Sequence, residues 1–237
     1  MRTTERIVNA AIKGLVRIAC RIDAAELDAI PREGPLIIAT NHITFLEAPI
    51  YYTHLMPRPL TAFSKTETWE NPFLGWLFDL WEIIPLKRGE ADLGALRKGM
   101  EVLKQGTILT IAPEGTRSGN GQLARGYPGI VTVALRSGSP IIPTVSYGHE
   151  HLKANLRRLR RTDFHIRVGN PFHLKETNGK LKREIRTQMT DEIMYQLAAL
   201  LPTSYRGIYS DLSRATEEYL QFENPSLSNL LRAQEPR

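Results

Sequence analysis

The fold is decided by residues 36–47, which read LIIATNHITFLE. The first five residues are a continuous apolar and β-branched run, which predicts a strand. A polar loop begins at Asn41, and a helical pattern follows it over residues 46–55. Parallel α/β sheets are built from a strand, a loop and a helix in succession, and they place their ligands at the carboxyl ends of the strands. The stretch therefore predicts such a sheet, with His42 at its ligand-binding edge.

The same alternation of short apolar runs and helical stretches continues along the chain. We therefore predict an α/β fold, with a mixed, largely parallel sheet flanked by helices and an N-terminal amphipathic helical appendage. The chain divides into this appendage over residues 1–30, one domain over 31–222 and a polar C-terminal tail over 223–237. The other predicted strands are 60–64, 83–86, 108–112, 141–146 and 164–168, and the other predicted helices are 72–80, 91–104, 128–137, 180–200 and 211–221.

Composition limits the classes of function. The chain carries 31 Lys and Arg against 25 Asp and Glu, a formal net charge of +6, which suits a phosphorylated substrate, an acidic membrane surface or a nucleic acid. Nucleic acid is disfavoured, because the basic cluster at 153–161 lacks interleaved aromatic residues. The hydrophobic and charged fractions, 42% and 24%, argue against a disordered chain or a polytopic membrane protein. Cys20 is the only cysteine, so no internal disulfide is possible and a reducing compartment is expected.

Residues 3–21 have the pattern of an amphipathic helix. Its aliphatic side can enter a lipid interface while its basic side meets lipid phosphates, so we expect it to associate with a membrane. The alternative is a surface helix that packs on the domain with its charged side in water. The chain has no uninterrupted apolar window of about 18 residues, so membrane association is expected to be peripheral. The basic side carries Arg2, Arg6, Lys13, Arg17 and Arg21, and the aliphatic side carries Ile7, Val8, Ile12, Leu15, Val16 and Ile18.

His42 and Glu47 are the first candidate catalytic pair. A carboxylate at this spacing can reach back to an imidazole nitrogen, fix the tautomer of the ring and stabilise the imidazolium that forms when histidine takes a proton. Histidine suits this work because its unperturbed pKa of about 6.5 lies close to working pH. A histidine followed by an acid is common by chance, so the pair alone does not identify an active site.

Residues 112–118, which read APEGTRS, form a second candidate group directly after a predicted strand. A glycine-containing loop at a strand end can direct backbone amides, a hydroxyl and a guanidinium towards one anion. The planar guanidinium of Arg117 can bind a phosphate through two parallel hydrogen bonds. Two roles are open for Glu114, which can accept from a substrate hydroxyl or hold Arg117. The alternative for the whole loop is a plain turn, since Gly115 and the following SGNG run are good turn formers.

Together these two motifs resemble the glycerolipid acyltransferase family, and most closely its bacterial 1-acyl-sn-glycerol-3-phosphate acyltransferases. Residues 64–89 resemble a second family block, whose basic residues lie near substrate phosphate, and residues 141–145 resemble an apolar block with a central proline. A later stretch, 190–207, also resembles the C-terminal end of bacterial members. The resemblance implies catalytic roles for His42 and Glu47. It implies substrate binding by Asn41, Lys65, Arg88, Glu114, Gly115, Thr116 and Arg117.

The resemblance also implies a reaction. A fatty acyl group would pass from acyl-CoA or an acyl-carrier protein to the hydroxyl of a phosphate-bearing glycerolipid precursor, with conversion of lysophosphatidic acid to phosphatidic acid foremost. Residues 31–222 would be the acyltransferase domain, and it would work without a cofactor or metal on a lysophospholipid acceptor at the anionic cytoplasmic face of the cell membrane. The alternatives are another acceptor (glycerol 3-phosphate or an acceptor of the lipid A type), a thioester or ester hydrolase, and a non-enzymatic lipid-binding protein.

One residue departs from the family pattern. The usual acid is aspartate, and here it is Glu47. The late acyltransferases of lipid A assembly also pair histidine with glutamate at this spacing, but they lack the Glu-Gly-Thr-Arg motif. The departure therefore bears on the acceptor more than on the reaction type.

A further histidine pair lies in the sequence His149-Glu150-His151. Because no third ligand is nearby, the sequence predicts a loop here and not a metal site.

Overall fold

The computed structural model describes residues 3–87, 92–176 and 181–233. Within these ranges the chain forms a nine-stranded sheet and eight α-helices. The strands are β1 (Cys20–Asp23), β2 (Leu36–Thr40), β3 (Leu60–Lys65), β4 (Ile84–Leu86), β5 (Ile108–Ile111), β6 (Ile141–Tyr147), β7 (Thr162–Val168), β8 (Phe172–Leu174) and β9 (Leu220–Phe222). The helices are α1 (Thr3–Ala19), α2 (Glu47–His54), α3 (Pro72–Leu80), α4 (Leu93–Lys104), α5 (Gly129–Ser137), α6 (Leu152–Arg157), α7 (Arg183–Leu200) and α8 (Asn229–Arg232).

The sheet is mixed and mostly parallel, which confirms the predicted fold class. Its strand order is β1-β7-β6-β2-β5-β3-β4, and the five strands from β6 to β4 run parallel to one another. β7 is antiparallel to β6, β1 is parallel to β7, and β8 and β9 extend from β6 as antiparallel strands. The loops that follow β6, β2, β5 and β3 therefore leave the sheet at the same edge.

β2 lies at the centre of the sheet and is buried along its whole length. Ile37 and Ala39 face a core formed with α4, α5 and α7, whereas Leu36 and Ile38 face a second core formed with α1 and α2. Because both faces are covered, the strand is a continuous apolar run and not an alternating one. Its position fixes the loop at 41–46 against a rigid base.

The predicted N-terminal helix is present as α1. It ends at Ala19, two residues before the predicted limit, because the next four residues form β1 and pair with β7. Asn9 anchors the helix in the domain, since its Oδ1 accepts a hydrogen bond from Trp81 Nε1 at 2.9 Å. No helix of the described residues is both long and apolar enough to cross a lipid bilayer.

The helix predicted over residues 211–221 is wrong. The structure has a short 3-10 turn at Leu212–Arg214 and then strand β9. The cause is the buried carboxylate of Glu192 on α7, which accepts hydrogen bonds from the backbone amides of Glu218 and Tyr219 at 3.0 and 2.9 Å. These amides are held by a side chain, and the chain beyond them pairs with β8.

Candidate active site

The first candidate pair lies where the loop after β2 meets α2, with His42 in the loop and Glu47 as the first residue of the helix. His42 Nδ1 is 3.2 Å from Glu47 Oε2. The other carboxylate oxygen, Oε1, accepts hydrogen bonds from the backbone amides of Ile43 and Thr44 at 2.8 and 2.7 Å. The loop thus folds around the carboxylate, whose side chain is only 4% exposed, while the imidazole remains 31% exposed.

The protonation of this pair follows from its surroundings. Burial by itself would raise the pKa of Glu47, but hydrogen bonds and opposite charge from His149 and His42 bring the pKa down to about 2. Glu47 is therefore ionised at neutral pH and only accepts hydrogen bonds, so the nitrogen of His42 that faces it must carry the proton. In the neutral ring this leaves Nε2 with a free lone pair, which is the state that a general base requires.

The second candidate loop, at 112–118, is joined directly to His42. The His42 amide donates to Glu114 Oε1 at 3.0 Å, and the Ser118 amide donates to the His42 carbonyl at 2.8 Å. Glu114 Oε2 accepts from the Ala124 amide at 2.9 Å, so the carboxylate bridges two backbone segments. Burial raises the pKa of Glu114 despite these amides. This bracing role differs from both roles that the sequence left open for Glu114.

The exposed part of this loop is Gly115, Thr116 and Arg117. Gly115 has a φ of +65°, a conformation that glycine adopts without the strain of a side chain. Among the residues that the structure describes, none forms a hydrogen bond or ion pair with the Arg117 guanidinium. The guanidinium is therefore available to an anion. It lies one residue before Ser118, whose amide is hydrogen-bonded to the His42 carbonyl.

Asn41 lies beneath the site and not on its surface. Its side chain accepts from the Ser146 amide at 2.9 Å and donates to the Ser146 carbonyl at 2.8 Å, which fastens the end of β2 to β6. Asn41 is 1% exposed. Its amide group is thus already engaged with the backbone.

The two other predicted basic residues are more distant in sequence. Lys65 is the exposed last residue of β3, and it lies at the same edge of the sheet as the two loops. Arg88 lies outside the residues that the structure describes.

The sequence interpretation missed the role of His149. The segment 149–151 is a 3-10 turn at the end of β6, and the side chain of His149 is fully buried with Nε2 2.7 Å from Glu47 Oε1. His151 is mostly exposed, and its Nε2 lies 3.3 Å from Glu150 Oε1. The two imidazoles therefore contact different carboxylates. Over the described ranges, no three His, Cys, Asp or Glu side chains are arranged to hold a metal ion. The sequence carried no local signal for this contact, because it depends on the pairing of β6 with β2.

A cleft of about 560 Å³ opens beside the 112–118 loop. Its walls combine polar and apolar residues, and the hydroxyl-bearing ones include Ser118, Ser204 and Ser210. Ser118 Oγ is buried and has no hydrogen-bond partner among the described residues. A buried hydroxyl without a partner can bind a polar group of a ligand.

Comparison with known proteins identifies the family of the chain. The acyltransferase family model matches residues 21–147, more than half of the chain, and the chain belongs to this family. It is similar to the 1-acyl-sn-glycerol-3-phosphate acyltransferase of Pseudomonas aeruginosa, with 26% identity over 78% of this chain and 72% of that protein. The Pseudomonas aeruginosa lyso-ornithine lipid O-acyltransferase is 29% identical over 60% of each chain.

Two further likenesses concern length and fold. The chloroplastic 1-acyl-sn-glycerol-3-phosphate acyltransferase of Arabidopsis thaliana is 31% identical over 54% of this chain, but the match covers only 36% of that protein. The match with the chloroplastic 1-acyl-sn-glycerol-3-phosphate acyltransferase of Brassica napus covers 38% of that protein. The crystal structure of the 1-acyl-sn-glycerophosphate (LPA) acyltransferase PlsC from Thermotoga maritima shares the fold, with a TM-score of 0.54, 20% identity and 81% coverage of both chains.

Proposed function

We propose that this protein transfers a fatty acyl group from a thioester to the hydroxyl of a phosphate-bearing glycerolipid precursor, with lysophosphatidic acid as the acceptor. One observation carries the proposal. The imidazole of His42 is held by the ionised Glu47, and its backbone is held by the loop that presents Arg117, whose guanidinium has no partner among the described residues. A base and an anion-binding group are thus fixed relative to each other.

The reaction uses His42 as a general base. Nε2 takes the proton of the acceptor hydroxyl while that oxygen attacks the thioester carbonyl, and Glu47 stabilises the imidazolium. When the tetrahedral intermediate collapses, the carbon–sulfur bond breaks and the imidazolium returns its proton to the departing thiolate. The products are an ester and a free thiol, and His42 is neutral again.

The acceptor is held through its phosphate. A guanidinium binds phosphate through two parallel hydrogen bonds, and Arg117 has no internal partner among the described residues to compete for these bonds. Lys65, at the same edge of the sheet, adds positive charge, and Arg88 is proposed to do so on the basis of sequence. Holding the hydroxyl against the base supplies several kcal/mol of the rate enhancement, on the order expected for oriented reactants.

The donor is acyl-CoA or an acyl-carrier protein. Both present the same pantetheine arm, which carries amides and a hydroxyl. The cleft beside Ser118 has hydroxyls and backbone groups that match this chemistry, and it adjoins the loop that holds His42. The cleft supports a thioester donor of this class without distinguishing CoA from the carrier protein.

We also propose that the protein works at the anionic cytoplasmic face of the cell membrane as a peripheral protein. α1 has two aliphatic sides, of which one packs on the domain and the other is exposed. Val8, Ile12 and Val16 pack on the domain, whereas Ile7, Leu15 and Ile18 are 65%, 68% and 74% exposed. Exposed aliphatic residues beside basic ones are what an interfacial helix requires.

A thiol-release assay with a panel of acceptors tests the proposed reaction. Lysophosphatidic acid should accelerate thiol release and yield phosphatidic acid, whereas glycerol 3-phosphate and lyso-ornithine lipid should be poorer acceptors. The lyso-ornithine lipid belongs in the panel because a relative is named for it. Free fatty acid formed at the same rate without any acceptor would identify a hydrolase instead. No thiol release with any acceptor would favour a lipid-binding protein.

A further inference from the structure

His149 is a buried histidine that the steps above do not use. Its side chain is fully buried, so it does not contact substrate, and its Nε2 lies 2.7 Å from Glu47 Oε1. Its ring stacks on Phe164 of β7, with the centroids 4.2 Å apart and the planes at 22°. The imidazole is thus held between the carboxylate of the candidate catalytic pair and an aromatic ring.

The backbone fixes this position. Gly148 precedes the histidine with a φ of +91°, and a Cβ at that residue would lie 2.6 Å from the Asp163 carbonyl oxygen. Only glycine fits this close turn between β6 and β7. The turn directs residue 149 inward, towards the N-terminal end of α2.

The hydrogen bonds define which nitrogen of His149 carries the proton. The ionised Glu47 only accepts, so Nε2 must be the donor. Nδ1 has no partner among the described residues, which a neutral ring tolerates because that nitrogen then bears only a lone pair. His149 therefore donates to Glu47 through Nε2.

We propose that His149 is a positioning residue for the general base, and this rests on the proposed roles of His42 and Glu47. By binding Oε1, together with the amides of the 41–46 loop, it leaves Oε2 to face His42 Nδ1. It also shares the negative charge of the carboxylate and so limits how strongly that charge stabilises the His42 imidazolium. A base that is too easily protonated is blocked at neutral pH.

Two other titratable groups lie against this pair. The Tyr51 hydroxyl is 3.0 Å from Thr40 Oγ1, and burial raises the pKa of Tyr51 well above its ordinary value. Glu114 binds the backbone amides of His42 and Ala124. Among the described residues neither group is hydrogen-bonded to His149, so a change at residue 149 leaves these hydrogen bonds in place.

Two substitutions in the full chain test this role. His149→Phe keeps a ring against Phe164 but removes the donor, whereas His149→Gln retains an N–H group. For His149→Phe we expect kcat to fall roughly tenfold, as for one lost hydrogen bond to a charged group. KM for both substrates should stay within about twofold, because residue 149 does not contact them. The acidic limb of kcat/KM should move to higher pH, since the unshared charge of Glu47 stabilises the His42 imidazolium more strongly.

His149→Gln is the conservative control and should restore most of kcat and the pH profile. Thermal melting of both variants separates positioning from packing. The proposal would be overturned if His149→Phe melts at a lower temperature while the acidic limb of its kcat/KM profile stays in place or moves to lower pH. It would also be overturned if His149→Phe has the wild-type kcat. His42→Ala is measured in parallel. If His42→Ala keeps its activity, the proposed function fails; if it is inactive while His149→Phe behaves as wild type, only the role of His149 fails.

Discussion

At the scale of single residues, Glu47 is the side chain on which the contacts of the site converge. The carboxylate accepts from two backbone amides and faces two imidazoles, one of which lies 102 residues away in sequence. The sequence predicted the His42–Glu47 pair because both residues lie in one short loop. It missed His149, because a contact between distant residues depends on how the strands pair and leaves no local pattern.

Arg117 gives a prediction at the same scale. Arg117→Lys should raise KM for a phosphate-bearing acceptor roughly tenfold, because an ammonium group cannot reproduce the paired hydrogen bonds of the guanidinium. The KM for the thioester donor should not change, since the donor is not held by this residue. Steady-state kinetics with each substrate varied in turn provides the measurement. Arg136→Lys, at an exposed arginine of α5, is the matched control, and equal acceptor KM values for the two variants would rule out the phosphate assignment.

At the scale of elements, predictability depended on whether an element carries its own pattern. β2 and α2 follow from the periodicity of residues 36–55, and the structure has them within a residue of the predicted limits. β1, β8 and β9 are short strands that exist because neighbouring strands bind their backbones, and they were not predicted. The buried Glu192 similarly decides the path of residues 216–219 from another element.

α1 carries a prediction about the membrane. Replacement of Ile7, Leu15 and Ile18 together by Ser should reduce sedimentation with anionic phospholipid vesicles at least roughly tenfold, because each buried aliphatic side chain contributes about 1.5–3 kcal/mol. Binding of the wild type should weaken as salt is added, since its basic residues contribute through screened charges. The melting temperature should not fall, because these side chains do not pack on the domain.

Leu231→Ser is the control for this experiment. Leu231 is 49% exposed and lies on α8, which packs with α7 on the other side of the sheet from α1, so its replacement should leave vesicle binding unchanged. If the α1 variant sediments with vesicles as the wild type does, the helix is only a surface helix.

At the scale of the whole molecule, the parallel strands bring the site together. The two candidate motifs are separated by 72 residues between His42 and Glu114, yet a hydrogen bond joins them because β2 and β5 are neighbours in the sheet. The sequence predicted the sheet and its ligand-binding edge from the alternation of strands and helices. It could not predict the strand order, which puts β6 on the other side of β2 and so adds His149 to the site.

Acyl transfer measured in a single turnover tests the central claim most directly. The protein is mixed in excess with a labelled acyl thioester and lysophosphatidic acid, and the labelled phosphatidic acid is followed in the wild type, in His42→Ala and in Glu47→Gln. We expect rapid product formation in the wild type, and in both variants a rate lower by about 10²–10⁴-fold, the usual contribution of a general base. Transfer at the wild-type rate by His42→Ala would contradict the account.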